Sequence, residues 1–133
     1  MKAQVALEYL IIVSVALIII IPLALYANEL FYGYREDTRI TLAKNAVKKL
    51  GENSDWVYSQ GEPAQLTIEV YIPDGIAQIS LDNNTILFKV KTSSGISNVY
   101  YTTIAPLNGS VPINSGYYEI SLTAYEDFLD ISW

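Results

Sequence analysis

The chain has 133 residues and a formal net charge of −6, and it contains neither cysteine nor histidine. The length allows one small domain with one long additional element. The missing residue types exclude disulfides, the usual zinc ligands and a Ser-His-Asp triad, and the negative charge argues against a nucleic-acid partner.

The first long feature is an apolar run over residues 5–27, which Glu8 and Ser14 interrupt. As an α-helix this run is about 34 Å long, which matches a hydrocarbon core of about 30 Å. Tyr9 and Tyr26 lie near its two ends, where aromatic rings prefer the membrane interface. The sequence therefore predicts one membrane-spanning helix. An ordinary cleaved signal peptide fits less well, because its apolar run is usually only about 7–15 residues long.

The helical pattern continues beyond the predicted span. Pro22 lies inside the span and predicts a kink, which is either an ordinary membrane-helix kink or a point of flexure in an assembly. Residues 34–50 are amphipathic, and their apolar stripe consists of Ile40, Ala43, Ala46, Val47 and Leu50. Gly51 follows as a natural C-cap. We therefore expect one helix, or two in line, over residues 4–50, and a link over residues 51–60.

From residue 66 onward the period changes to two, which is typical of strands that are buried on one face. Strands are predicted at 66–72, 76–82, 85–91, 96–104, 117–124 and 128–132, with turn residues between them. Short strands at this spacing favour a small antiparallel sandwich or a sheet packed on the helix. The fold class is α+β, with a long N-terminal transmembrane and amphipathic helix followed by a β-rich head over residues 51–133.

The predicted head is acidic and rich in tyrosine. Residues 51–133 contain two basic and ten acidic side chains, which indicates a solvated surface, a cation-binding surface or steering between subunits. In the adjacent pairs Tyr100-Tyr101 and Tyr117-Tyr118, strand alternation predicts one ring toward the core and one toward solvent. The outward rings indicate either ordinary β-propensity or an aromatic contact surface.

The start of the chain carries a specific order of residues: Lys2-Ala3-Gln4, and then Glu8-Tyr9-Leu10 ahead of the long apolar helix. This order resembles the class III signal peptide of archaeal type IV pilins, in which a short basic leader precedes a Gln, a Glu follows four residues later and Tyr-Leu comes next. The family often has a small hydroxylated residue or Gly where this chain has Ala6. The strict resemblance covers residues 2–10.

The resemblance implies that residues 1–3 are a leader, which a prepilin peptidase removes between Ala3 and Gln4. It also implies that Glu8 meets the N-terminal ammonium of a neighbouring subunit at an assembly platform in the membrane. Physically, an amine and a carboxylate in an apolar bundle each need a partner. From position alone, Glu8 could instead extend to the lipid headgroups. The candidate assembly residues are Gln4, Glu8, Tyr9, Leu10 and Pro22.

Two N-x-Ser/Thr sequons, at Asn83 and Asn108, lie in predicted turns and are candidate glycosylation sites. Such motifs also arise by chance, because Asn and Ser favour turns. Glycosylation requires an exterior head, and the resemblance agrees, since archaeal pilins are commonly N-glycosylated. The excess of Lys and Arg after the span, at residues 35–49, instead favours a cytoplasmic C-terminal side. The sequence leaves this conflict open.

No catalytic or metal-binding pattern is present in the sequence. The candidate carboxylates Asp74, Asp82, Asp127 and Asp130 have no spacing that defines an acid–base pair or a Ca²⁺ loop, and no Gly-rich phosphate loop occurs. We therefore expect no enzyme activity, no cofactor and no metal.

The expected function is that of a pilin, a structural subunit of an archaeal type IV-like pilus for surface adhesion. Before assembly it would lie in the cell membrane, and after processing it would self-associate into an extracellular helical filament. A minor pilin or tip adhesin, and a membrane-anchored surface binding module, are the alternatives. An archaellin fits less well, because its Gly-rich leader pattern is absent, and a cytoplasm-facing membrane regulator follows only if the Lys and Arg count decides the orientation.

Overall fold

The computed structural model describes residues 1–133 and confirms the α+β class. One helix, α1 (Lys2–Gln60), precedes all of the strands. The strands are β1 (Gln65–Ile72), β2 (Ile76–Asp82), β3 (Thr85–Thr92), β4 (Gly95–Thr102), β5 (Leu107–Gly109), β6 (Gly116–Ala124) and β7 (Leu129–Ser132). All six predicted strands are therefore confirmed, with end shifts of one or two residues.

The strands form two sheets, one of four strands in the order β1-β6-β7-β5 and one of three strands in the order β2-β3-β4. The three-stranded sheet is antiparallel. The four-stranded sheet is mixed, because β5 pairs in parallel with β7, so the predicted antiparallel pairing does not extend to this one strand. The short strand β5 escaped prediction because Asn108-Gly109 resembles a turn signal.

The predicted link over residues 51–60 is also wrong, because α1 continues through Gly51 to Gln60. The apolar stripe does not end at Leu50, since Ser54 and Val57 continue it at helical spacing and are buried. The Ser54 hydroxyl donates to the Leu50 carbonyl oxygen at 2.6 Å, so a polar residue is satisfied inside the core. The helix ends at Gln60, and the next residue, Gly61, has a φ of 80° that suits a C-terminal cap.

The chain divides into two units, Met1–Arg35 and Glu36–Trp133, rather than at residue 50. The boundary lies inside α1, because the helical residues from 36 onward belong to the folded head. The first unit consists of helix alone, and nearly all of its side chains are exposed.

The second unit contains a core to which α1 and both sheets contribute. Alternate residues of β1 and β6 point into it, with exposed polar residues between them. Its largest fully buried side chains include Leu50 from the helix, Phe88 from β3, and Ile120 and Leu122 from β6. The head is thus two sheets and a helix around one core, which combines the two predicted arrangements.

Candidate functional site

The residues that resemble a pilin signal lie on the first turns of α1. Gln4, Glu8, Tyr9 and Leu10 are all helical and exposed. Gln4 and Glu8 are four residues apart, so they share one face of the helix, with Cβ atoms about 5–6 Å apart. The bond before Gln4 is helical as well, because α1 begins at Lys2. The candidate processing site and the candidate register residue therefore lie within one turn of each other.

The predicted membrane span is a continuous helix that runs through Pro22. None of the most apolar 18 residues of α1 is buried. By length and composition the segment is able to cross a membrane. Its one serine, Ser14, donates its hydroxyl to the Leu10 carbonyl oxygen at 2.8 Å, so this polar group is satisfied within the helix.

The head-bound part of α1 is fixed to the sheets by polar contacts near its start. Glu36 accepts hydrogen bonds from the backbone N and the hydroxyl of Ser93, at 2.9 and 3.0 Å, in the β3–β4 turn. Arg39 forms a salt bridge of 3.1 Å with Asp74 in the β1–β2 loop. These contacts join residues far apart in the chain, so sequence patterning carried no signal for them.

Further contacts fix the last turns of α1. Lys49 donates to the carbonyl oxygen of Glu69 on β1. Asp55 accepts from the Tyr101 hydroxyl at 3.0 Å and from the Ile104 backbone N at 2.8 Å. Because β1 and β4 are outer strands of different sheets, the helix contacts an outer strand of each sheet.

Gly51 allows the close approach of α1 to β4. A Cβ at this position would lie 2.1 Å from Cδ1 of Tyr101, so the ring occupies the space that a side chain would need. Partial burial raises the pKa of Tyr101 above its usual value of 10.0, and the hydrogen bond to Asp55 and the negative charges of Asp55 and Glu52 act in the same direction. The phenol is therefore held as a neutral donor.

The two candidate glycosylation sites are both exposed but differ in backbone structure. Asn83 lies in the two-residue turn between β2 and β3, with a φ of 51°. Asn108 lies in strand β5 and pairs with Asp130, so its predicted turn is wrong. In this second sequon the Ser110 hydroxyl accepts from Nε1 of Trp133 at 3.3 Å. The two sequons thus differ in backbone structure, although both asparagines are exposed.

The tyrosine pairs follow the predicted alternation. Tyr101 and Tyr118 pack partly buried against the core, whereas Tyr100 and Tyr117 are 69% and 72% exposed. The ring of Tyr117 lies 4.8 Å from that of Tyr71, centroid to centroid. The head thus presents aromatic surface on the outer faces of both sheets.

The structure does not bring the candidate carboxylates together. Asp74 is paired with Arg39, and Asp82 accepts from the Ser80 hydroxyl at 2.6 Å. Asp127 lies in the β6–β7 turn and Asp130 lies on β7. No group of three acidic residues is placed to hold a metal ion.

The chain was compared with known proteins at the level of families, sequences and structures. No family model, no curated protein and no solved structure matches it.

Proposed function

We propose that the chain is a pilin-like structural subunit, processed before Gln4 and assembled through its N-terminal helical segment into a filament at the archaeal cell surface. The observation that carries this proposal is an apolar segment without any cover. No residue of its most apolar window is buried, although the same chain folds a complete core elsewhere.

The exposed segment needs a cover, because burying one large aliphatic side chain is worth about 1.5–3 kcal/mol. The apolar side chains lie all round the helix rather than on one stripe, which is typical of helices buried on every side. A bilayer supplies such an environment to a single subunit, and a bundle of neighbouring helices supplies it after assembly. The segment therefore suits a subunit that moves from membrane to filament.

Glu8 supports assembly in a defined register. A carboxylate among apolar helices requires a cation, and cleavage before Gln4 creates one at the new N-terminus. Because Gln4 and Glu8 share one helix face, a neighbour shifted by about one turn, 5.4 Å, brings its amine to this carboxylate. The pair would therefore fix the axial position of each subunit against the next.

Several of the basic residues after the span make contacts within the folded head. Arg39 is paired with Asp74, Lys48 lies 3.7 Å from Glu52, and Lys49 donates to a β1 carbonyl. Most of the basic residues after the span thus have a role in the head itself. These contacts are compatible with a head outside the cell. The exposure of both sequon asparagines is compatible with an exterior head as well.

The test of this proposal is incorporation of Glu8→Gln into filaments in cells. We expect incorporation to fall about tenfold or more, because the ammonium of the neighbour loses its charged partner in an apolar bundle. Glu29→Gln is the matched control, since Glu29 is an exposed carboxylate on the same helix beyond the apolar run. Incorporation of Glu8→Gln at the wild-type level would contradict the register role.

A further inference from the structure

The outer face of the three-stranded sheet carries the only two basic residues of the strand region. Lys89 and Lys91 lie on β3 and alternate with the buried Phe88 and Val90, so they point away from the core. Neither lysine takes part in a salt bridge. The head therefore presents two unpaired cations on this face, although its overall charge is negative.

Polar and apolar side chains both lie beside these lysines, since Lys89 lies opposite Gln78 and Asn98. In the β3–β4 register, Lys91 lies opposite Ile96 and Leu87 lies opposite Tyr100. Ile96 is 61% exposed and Tyr100 is 69% exposed. We call the set Leu87, Lys89, Lys91, Ile96 and Tyr100 the basic face.

The outer face of the four-stranded sheet has the opposite charge. Glu69 on β1 lies directly opposite Glu119 on β6, and neither carboxylate forms a salt bridge, although the Lys49 ammonium binds the main-chain carbonyl of Glu69. Like charges that face each other across two strands are destabilising. The next cross-strand pair on this face is Tyr71 and Tyr117, whose rings are in contact. We call these four residues the acidic face.

The two faces match in charge and in composition. Lys89 and Lys91 are two residues apart on one strand, so their Cα atoms are about 7 Å apart, and the paired glutamates are about 5 Å apart. The basic face also has the exposed Ile96 and Tyr100 beside its charges, and the acidic face has the exposed Tyr117 in contact with the half-buried Tyr71. We propose that the basic face of one head binds the acidic face of a second copy of this chain.

The geometry of the head also favours a second copy as the partner. The two faces are the outer surfaces of different sheets around one core, so they cannot meet within one chain. A contact between unlike faces is heterologous, and such contacts extend from subunit to subunit instead of closing as a dimer. This inference rests on the proposed filament, to which it adds a lateral contact between heads.

The two sequons lie away from the charged pairs of both faces. Asn83 precedes Lys89 by six residues, which is about 20 Å along the chain. Asn108 lies on the far edge strand β5, two strands away from β6. The charged pairs and the sequons therefore occupy separate parts of the head surface.

Cysteine cross-linking tests the contact directly, because the chain contains no cysteine. We would introduce Lys91→Cys and Glu119→Cys into the full chain and treat intact filaments, and separately membranes, with a short bis-maleimide. We expect the double variant to give a ladder of cross-linked oligomers. A mixture of the two single variants should stop at dimers, and each single variant alone should give none. Dimers from a single variant, or no ladder from the double variant, would overturn the proposal.

Charge reversal provides a second readout for variants that fold and reach the membrane. Lys89→Glu with Lys91→Glu should lower cross-linking between Cys substitutions at Ile96 and Tyr117 about tenfold, and Glu69→Lys with Glu119→Lys in the same chain should restore it. Raising the salt concentration should weaken the wild-type contact, because salt screens exposed charges. A cross-linking yield that changes neither with charge reversal nor with salt would overturn the electrostatic part of the proposal.

The two proposals fail in different ways. Filaments without any cross-link ladder would leave the pilin proposal standing and overturn the contact between heads. A cross-link ladder in membranes without filaments would overturn the pilin proposal and leave the contact between heads standing, because the faces would then pair between anchored, unassembled chains.

Discussion

The two units of the chain differ in whether their apolar side chains are buried. In Met1–Arg35 the apolar side chains lie all round a helix and almost none is buried. In Glu36–Trp133 the same helix narrows to one apolar stripe, and that stripe is covered by two sheets. The helix α1 therefore includes a part whose apolar side chains are buried within the chain and a part whose apolar side chains are not.

This difference shows which part of the molecule requires a partner. The head contains a closed core and no buried side-chain polar atom without a hydrogen bond. The first unit has no such core, and a bilayer or a set of identical helices has to supply its environment. Substitutions in the two units should therefore affect different measurements.

The largest expected effect comes from matched leucines on the two parts of α1. Leu50→Ala should lower the free energy of unfolding of the head by about 2–5 kcal/mol, because Leu50 is fully buried and its loss leaves a cavity. Leu23→Ala should change it by less than about 0.5 kcal/mol, because Leu23 is 63% exposed. Urea unfolding of the detergent-solubilised chain measures both, and tryptophan fluorescence reports on the head because Trp56 and Trp133 are both there. Equal changes in unfolding free energy for Leu50→Ala and Leu23→Ala would contradict the difference between the two units.

A matched pair of glycines gives the next effect. Gly51→Ala should destabilise the head by about 1–3 kcal/mol, because the new methyl group collides with the Tyr101 ring. Gly33→Ala meets nothing within 4 Å and should increase helicity, as alanine usually does in a helix. Circular dichroism and urea unfolding measure the two outcomes. Stabilisation by both substitutions would mean that Gly51 does not mediate the helix–sheet contact.

The pH dependence of the head should reflect Tyr101. An unfolded tyrosine ionises near its usual pKa of 10.0, whereas burial and Asp55 raise the pKa in the folded head. The stabilisation is therefore complete below pH 10 and is lost as the pH rises through the raised pKa. Tyr101→Phe should show a smaller decrease in unfolding free energy over this alkaline range. Identical alkaline slopes for the two chains would contradict this account.

The smallest effect is expected at the Arg39–Asp74 salt bridge. The Asp74 side chain is 74% exposed, so the pair should contribute no more than about 0.2–1 kcal/mol. A double-mutant cycle of Arg39→Gln and Asp74→Asn measures this coupling. A coupling well above 1 kcal/mol would show that this contact, rather than the apolar core, holds the helix on the head.

The patterns that depend on near neighbours could be predicted from the sequence. Alternation and turn residues together located six strands, and a long apolar run located the exposed half of α1. The continuation of α1 past Gly51 could not be predicted, because the glycine is explained by Tyr101, fifty residues further along the chain. Strand β5 was missed for a similar reason, since its pairing with β7 is distant and parallel.

The candidate sites divide in the same way. The spacing of Gln4 and Glu8 is local, so the sequence alone predicts it. The structure adds that both residues are exposed on one helix face. The opposed glutamates at positions 69 and 119 had no sequence signal, because only the β1–β6 register brings them together. Surfaces that depend on strand register therefore required the structure.

The most direct test of the central claim is the N-terminal residue of the chain isolated from cell-surface filaments, identified by mass spectrometry. We predict a mature terminus at Gln4, with residues 1–3 removed and α1 otherwise intact. An unprocessed Met1 on a chain found only in membranes would contradict filament assembly. A terminus after Ala27 would contradict it as well, because the uncovered apolar segment would then be absent from the mature protein.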